Sequence, residues 1–167
     1  GFAVSPTLQR YGLILSLFWA AAANAAGVDA LFAASMPDTE GRTVTFSQYR
    51  GKPLLLHFWA SWCAPCQDNG PDLAALQAAY GMYGLQALSI AVEHDRAVVG
   101  DVLKHCKPGV PMVYDKKKSI WLLQSLGHVS AELPFTLLLD GQGGVRFRQQ
   151  GRFLRSDIDA VMTSLPH

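Results

Sequence analysis

Cys63 and Cys66, separated by two residues, are the pair whose type and spacing point most directly to chemistry. A C-x-x-C pair is either half of a metal knuckle or a redox dithiol. A knuckle needs a second pair of ligands at metal spacing. The nearest candidates are His105 and Cys106, adjacent to each other and about forty residues downstream. Cys106 has another account, because Val99, Val102, Leu103 and Cys106 fall at i, i+3, i+4 and i+7 on one apolar helix face. No metal and no cofactor is therefore expected. An apolar run from Pro53 to Trp59 leads into the pair, and a helical pattern of Leu73, Leu76 and Tyr80 leads away. That places the cysteines where a buried strand ends and a helix begins. Unpaired N–H groups and partial positive charge at a helix N-terminus favour thiolate, lowering a cysteine pKa from ~8.5 to about 7 or below.

His57 interrupts this apolar strand six residues before Cys63. With a reference pKa of about 6.5, an imidazole there could exchange a proton with Cys66. It could equally be a neutral core histidine satisfied by a partner in the fold.

Positioning these groups needs a sheet with helices on both faces. The pattern predicts short strands over Ala30 to Ser35 and Thr43 to Phe46 around a turn at Asp38–Gly41. One helical turn over Ser47–Arg50 and the strand Leu54–Trp59 follow, then the cysteine helix to about Tyr80. A buried strand from Leu85 to Val92 comes next, then a helix capped by Asp95 and stopped at Pro108-Gly109. Val110–Tyr114 reads as a strand and Ser119–Leu126 as a helix, with Lys116–Lys118 a solvated turn. Phe135–Leu139 and Val145–Gln149 form a hairpin across Gly141–Gly144. A last helix carries Ile158, Val161, Met162 and Leu165 on one face, with Ser156 and Asp159 patterned as a capping box.

The chain has 167 residues, half of them apolar and 16% charged, with a net charge of +1. That suits one domain with a core and offers no basic face for nucleic acid. Three cysteines are too few for a disulfide scaffold. Tyr11 to Val28 carries no charged side chain, and Ala23-Asn24-Ala25 places small residues where a signal peptidase reads. Residues 1–26 are thus an export signal or a retained membrane anchor, and 27–167 the folded domain. Either reading puts that domain outside the cytoplasm.

Trp62-Cys63-Ala64-Pro65-Cys66, preceded by Phe58-Trp59-Ala60, resembles the thioredoxin-fold active site. Pro71 matches the proline that kinks the active-site helix, and Leu133-Pro134 the family's cis-proline. With room for an extra helix–strand unit before Pro134, an N-terminal hairpin and an export segment, the chain resembles TlpA/ResA-like extracytoplasmic thiol-disulfide oxidoreductases.

The resemblance implies a thioredoxin-like α/β fold with a mixed central sheet, an N-terminal β-hairpin and a helix–strand insertion. It implies that Cys63 is the exposed attacking thiol and Cys66 the shielded resolving one. Pro65 would fix the backbone between them, Trp62 would wall the sulfurs, and Leu133 before Pro134 would pair with an extended substrate strand. The partners implied are an exported protein with cysteine thiols or a disulfide, and a membrane electron donor or acceptor. The direction implied is reductive, in cytochrome c maturation or copper-site assembly.

Two positions depart from the pattern. His57 stands where thioredoxins carry a buried acid, and Asn69 where many TlpA/ResA-like proteins carry a glutamate. Two other functions compete. Peroxiredoxins share the fold, but the Pro and Thr ahead of their reactive cysteine are Leu56 and Ala60 here. A metallochaperone would hold Cu(I) between the two thiolates.

Overall fold

The structure is a computed structural model that describes residues 25–63, 69–106 and 108–166. Its centre is β3 (Leu54–Trp59), buried at every position. β3 runs parallel to β4 (Gln86–Ala91) and antiparallel to β6 (Phe135–Leu139). β5 (Met112–Tyr114) flanks β4 and β7 (Val145–Gln150) flanks β6, giving the order β5-β4-β3-β6-β7. A separate antiparallel hairpin joins β1 (Ser35–Pro37) to β2 (Thr43–Thr45), and a 3-10 turn over Phe46–Tyr49 leads from it to β3.

A central strand covered on both faces must be apolar on both. Leu54, Leu56 and Phe58 face one core, packed with Leu31 and Phe32 of α1 (residues 25–33) and Leu122 and Leu123 of α4 (Lys116–Ser125). Leu55 faces the other, with Leu73 and Leu76 of α2 (Gly70–Tyr80) and Ile158 and Met162 of α5 (Arg155–Ser164). The two-residue repeat of a strand puts His57 on this second face. Between β4 and β6 the chain forms α3 (Arg96–His105), β5 and α4, the predicted extra unit.

Four local expectations change. Ala30 to Ser35 is not a strand, because residues 25–33 are helical and only Ser35–Pro37 is extended. Val28, Leu31 and Phe32 lie at i, i+3 and i+4, and alanine-rich spacing favours helix. Gly27 lets α1 approach α4 closely, since a Cβ there would collide with the Ser125 carbonyl oxygen. Lys116–Lys118 is the first turn of α4, capped by the Asp115 carboxylate, which accepts from Lys118 N. Those lysines oppose the helix dipole, and Lys118 Nζ offsets this by donating to Ser35 O. Cys106 is the C-terminal cap of α3 rather than a member of its face. No Ser156 cap forms, because α5 begins at Arg155 and Asp159 instead accepts from the Tyr80 hydroxyl at 2.7 Å. That hydrogen bond, aided by burial and the carboxylate's charge, raises the Tyr80 pKa.

α4 ends in a Schellman motif, with His128 N donating to Leu123 O and Gly127 N to Gln124 O around Gly127 at φ 89°. It turns the chain back toward β6 through the Leu133–Pro134 peptide, which is cis.

Candidate functional site

The site lies at the carboxyl end of β3 and the start of β6. Val92 N donates to Trp59 O at 2.7 Å as the last rung between β3 and β4. Trp59 is pinned by its indole, which donates to Ser89 Oγ at 2.7 Å. β3 then leaves the sheet through a turn closed by Cys63 N donating to Ala60 O at 3.2 Å. Ser61 and Trp62 occupy the corners of that turn, and Trp62 is 72% exposed.

Cys63 is disulfide-bonded. It was expected to be exposed, yet it is buried at 7% exposure, packed with Trp59, Ala91, Val99 and Met112. The cause is the loop before β6, whose Leu133 carbonyl oxygen lies 3.7 Å from Cys63 Sγ while the Leu133 side chain packs on the same cluster. Leu133 therefore stands against Cys63, with the cis-linked Pro134 next in the chain, and Trp62, the residue before the cysteine, is exposed. Cys66 and Pro65, and the Ala64 and Asp68 near them, lie outside the described residues, as does the signal or anchor reading of positions 1–24. Cys106 is half-buried at the C-terminal cap of α3.

His57 is buried, with Nδ1 3.0 Å from Thr136 Oγ1 across the β3–β6 pairing. Its ring meets Phe153 edge-on at 5.7 Å between centroids. A hydroxyl partner both donates and accepts, so it accommodates either a neutral or a charged imidazole.

Asn69, the departure from the glutamate pattern, is fully buried. Its Nδ2 donates to Phe153 O at 3.0 Å and to Asp72 Oδ2 at 2.9 Å, while Oδ1 accepts from Phe153 N at 3.2 Å. Both faces of the amide are used to tie the start of α2 to the segment whose Phe153 ring supports His57. A carboxylate cannot donate to Phe153 O. Asn69→Asp is therefore expected to cost about 2–4 kcal/mol at neutral pH by setting two carboxylates and a carbonyl together, read as a lower denaturation midpoint.

His128 stacks on Phe135 at 4.2 Å between centroids, and its Nε2 lies 2.7 Å from Glu132 O, so it braces the loop before Pro134. Leu56 and Ala60 are fully buried and carry no polar group to orient a peroxide. Among the described residues, no three His, Cys, Asp or Glu side chains could hold a metal ion. Glu93 was missed by the sequence reading. It follows β4, is 7% exposed, and accepts from both Ser61 N and Ser61 Oγ. No sequence motif marks it, since its partner lies thirty-two residues away.

The thiol-disulfide oxidoreductase ResA of Geobacillus thermodenitrificans (strain NG80-2) is 29% identical over 130 residues, covering 78% of this chain and 72% of that protein. Two solved structures share the fold. MTB dsbF, in mixed oxidized and reduced forms, superposes with a TM-score of 0.68 at 20% identity, covering 81% of this chain and 96% of its own. The exposed lipoprotein thioredoxin of Streptococcus pneumoniae strain TIGR4 does so with 0.66 at 23%, covering 79% and 98%. The AhpC/TSA family model matches residues 28–148. That match runs from α1 into β7, through the strand, turn and loop that carry the site, so the chain belongs to the AhpC/TSA family, with ResA thiol-disulfide oxidoreductases among its homologues.

Proposed function

We propose that this protein reduces disulfides in exported protein substrates, outside the cytoplasm, through Cys63 and Cys66. The observation that supports this most directly is a disulfide-bonded Cys63 at the end of a buried strand, with the Leu133 carbonyl 3.7 Å from its sulfur. In the reduced protein the Cys63 thiolate attacks one sulfur of a client disulfide, forming a mixed disulfide and releasing the other client sulfur as a thiolate. Cys66 then attacks Cys63 Sγ, releasing the second client thiol and leaving the protein disulfide. Two electrons pass to the client, and a membrane electron donor restores the dithiol.

Trp62 and Leu133 supply apolar contact beside the sulfur. The backbone before Pro134 offers hydrogen bonds to an extended client strand, and Pro65 holds the spacing of the pair. His57 takes and returns the proton of the resolving thiol. The client class we favour is a cytochrome c precursor or a copper-site protein, following the TlpA/ResA-like branch that the chain resembles. An export signal or an anchor in residues 1–26 delivers the domain to that compartment.

The reduction potential of the Cys63/Cys66 pair tests the direction, measured by equilibration against thiol buffers with mass mapping of the oxidised peptide. A value near the thioredoxin end, about −270 mV, is expected. One near −120 mV would make the protein an oxidant and overturn the reading.

A further inference from the structure

Glu93 is a buried acid that none of the chemistry above uses. Hydrogen bonds from Gln86 N to Pro53 O and from Val92 N to Trp59 O bracket the parallel ladder of β3 and β4. By the two-residue repeat of such a ladder, the next donor on the β3 side is Ser61 N. No carbonyl of β4 takes it. The Glu93 carboxylate does so instead, accepting from Ser61 N at 2.7 Å and from Ser61 Oγ at 2.5 Å, both at Oε1. Ser61 is the first corner of the turn that closes from Cys63 N to Ala60 O. One carboxylate thus extends the sheet by a rung, at the point where the chain departs from it to present the cysteine.

We infer, on the reading that Cys63 is the attacking thiol, that Glu93 is a positioning residue for it: it holds the turn that aims the thiol at an incoming disulfide, and it sets a negative charge in the neighbourhood of the thiolate that forms there. Chain geometry places this carboxylate within about 10 Å of Cys63, two residues beyond Ser61. The other titratable groups around it are His94 next in sequence and, across a cavity of about 380 Å³, Tyr114, Asp115, Lys116 and Lys117. Among the described residues, His57 on β3 and Glu132, which precedes Leu133, are further titratable groups of the site. A Glu93→Gln substitution leaves all of these in place and keeps an oxygen for both Ser61 donors, so it removes the charge and preserves the turn. Glu93→Ala removes both.

The test is the second-order rate of the reduced protein with a small aromatic disulfide, followed against pH, with mass mapping to assign the reaction to Cys63. For Glu93→Gln the high-pH plateau should match the parent, and the midpoint should fall by about half a pH unit, because a thiolate forms more easily once a nearby negative charge is gone. For Glu93→Ala the plateau should fall about tenfold as the thiol loses its fixed geometry. An unchanged plateau in Glu93→Ala, or an unchanged midpoint in Glu93→Gln, overturns the inference. Should Glu93→Ala fail to fold, the midpoint of Glu93→Gln alone decides, since a purely structural acid would not move it.

Discussion

Cys63→Ala is expected to bring disulfide reduction down to background, a loss of about 10³-fold or more, since the attacking sulfur is gone and Cys66 alone cannot close a protein disulfide. The fold should survive. Cys63 packs among Trp59, Ala91, Val99 and Met112, and removing one sulfur from that cluster leaves a small gap worth about 1 kcal/mol. Reduction of insulin, followed beside thermal unfolding of the same samples, separates the two effects. Cys66→Ala should instead stop the reaction after its first half, leaving client attached to Cys63 and visible by mass. Attachment through Cys106 would contradict the assignment, because that thiol is the half-buried cap of α3 and belongs to no strand end.

The second large effect concerns His57. Removing a proton-exchanging group slows its own step by roughly 10²–10⁴-fold, so His57→Ala should let the mixed disulfide form at near the parent rate and then accumulate. Rapid-quench trapping of the intermediate reads both steps. Equal slowing of the two, or of neither, would leave His57 as a packing residue between Thr136 and Phe153. Alanine also opens a cavity there. His57→Gln, which keeps a hydrogen-bonding group toward Thr136, shows whether slowing follows loss of the imidazole or loss of packing.

Elements whose pattern is set by burial on both faces were legible in the sequence. Leu54–Trp59 and Phe135–Leu139 were read to the residue, because a mostly apolar stretch of five or six residues that follows a Pro has few other uses. α1 was not, since an alanine-rich segment beside another apolar stretch carries weak period, and only packing on α4 decides it. The cysteine pair was visible in the sequence, but its spacing alone left a metal knuckle and a redox dithiol both open. Asn69 was visible as a departure from a family pattern, yet its role depends on the backbone of a residue 84 positions away. Glu93 gave no signal, because a lone acid after a strand usually faces water. The burial of Cys63 came from the loop at Leu133, a contact across 70 residues that spacing does not encode.

The placement of α1 fixes how the molecule would stand on a surface. Ala25, Val28 and Phe32 line a pocket with Arg50, Gly51 and Gly141, the residues just before β3 and just after β6. Cys63 and Pro134 lie at the other ends of those same two strands. The chain therefore enters the domain at one pole and does its chemistry at the other, separated by about 20 Å of strand. An anchor upstream of Ala25 would hold the dithiol facing away from the bilayer, within reach of clients that diffuse past.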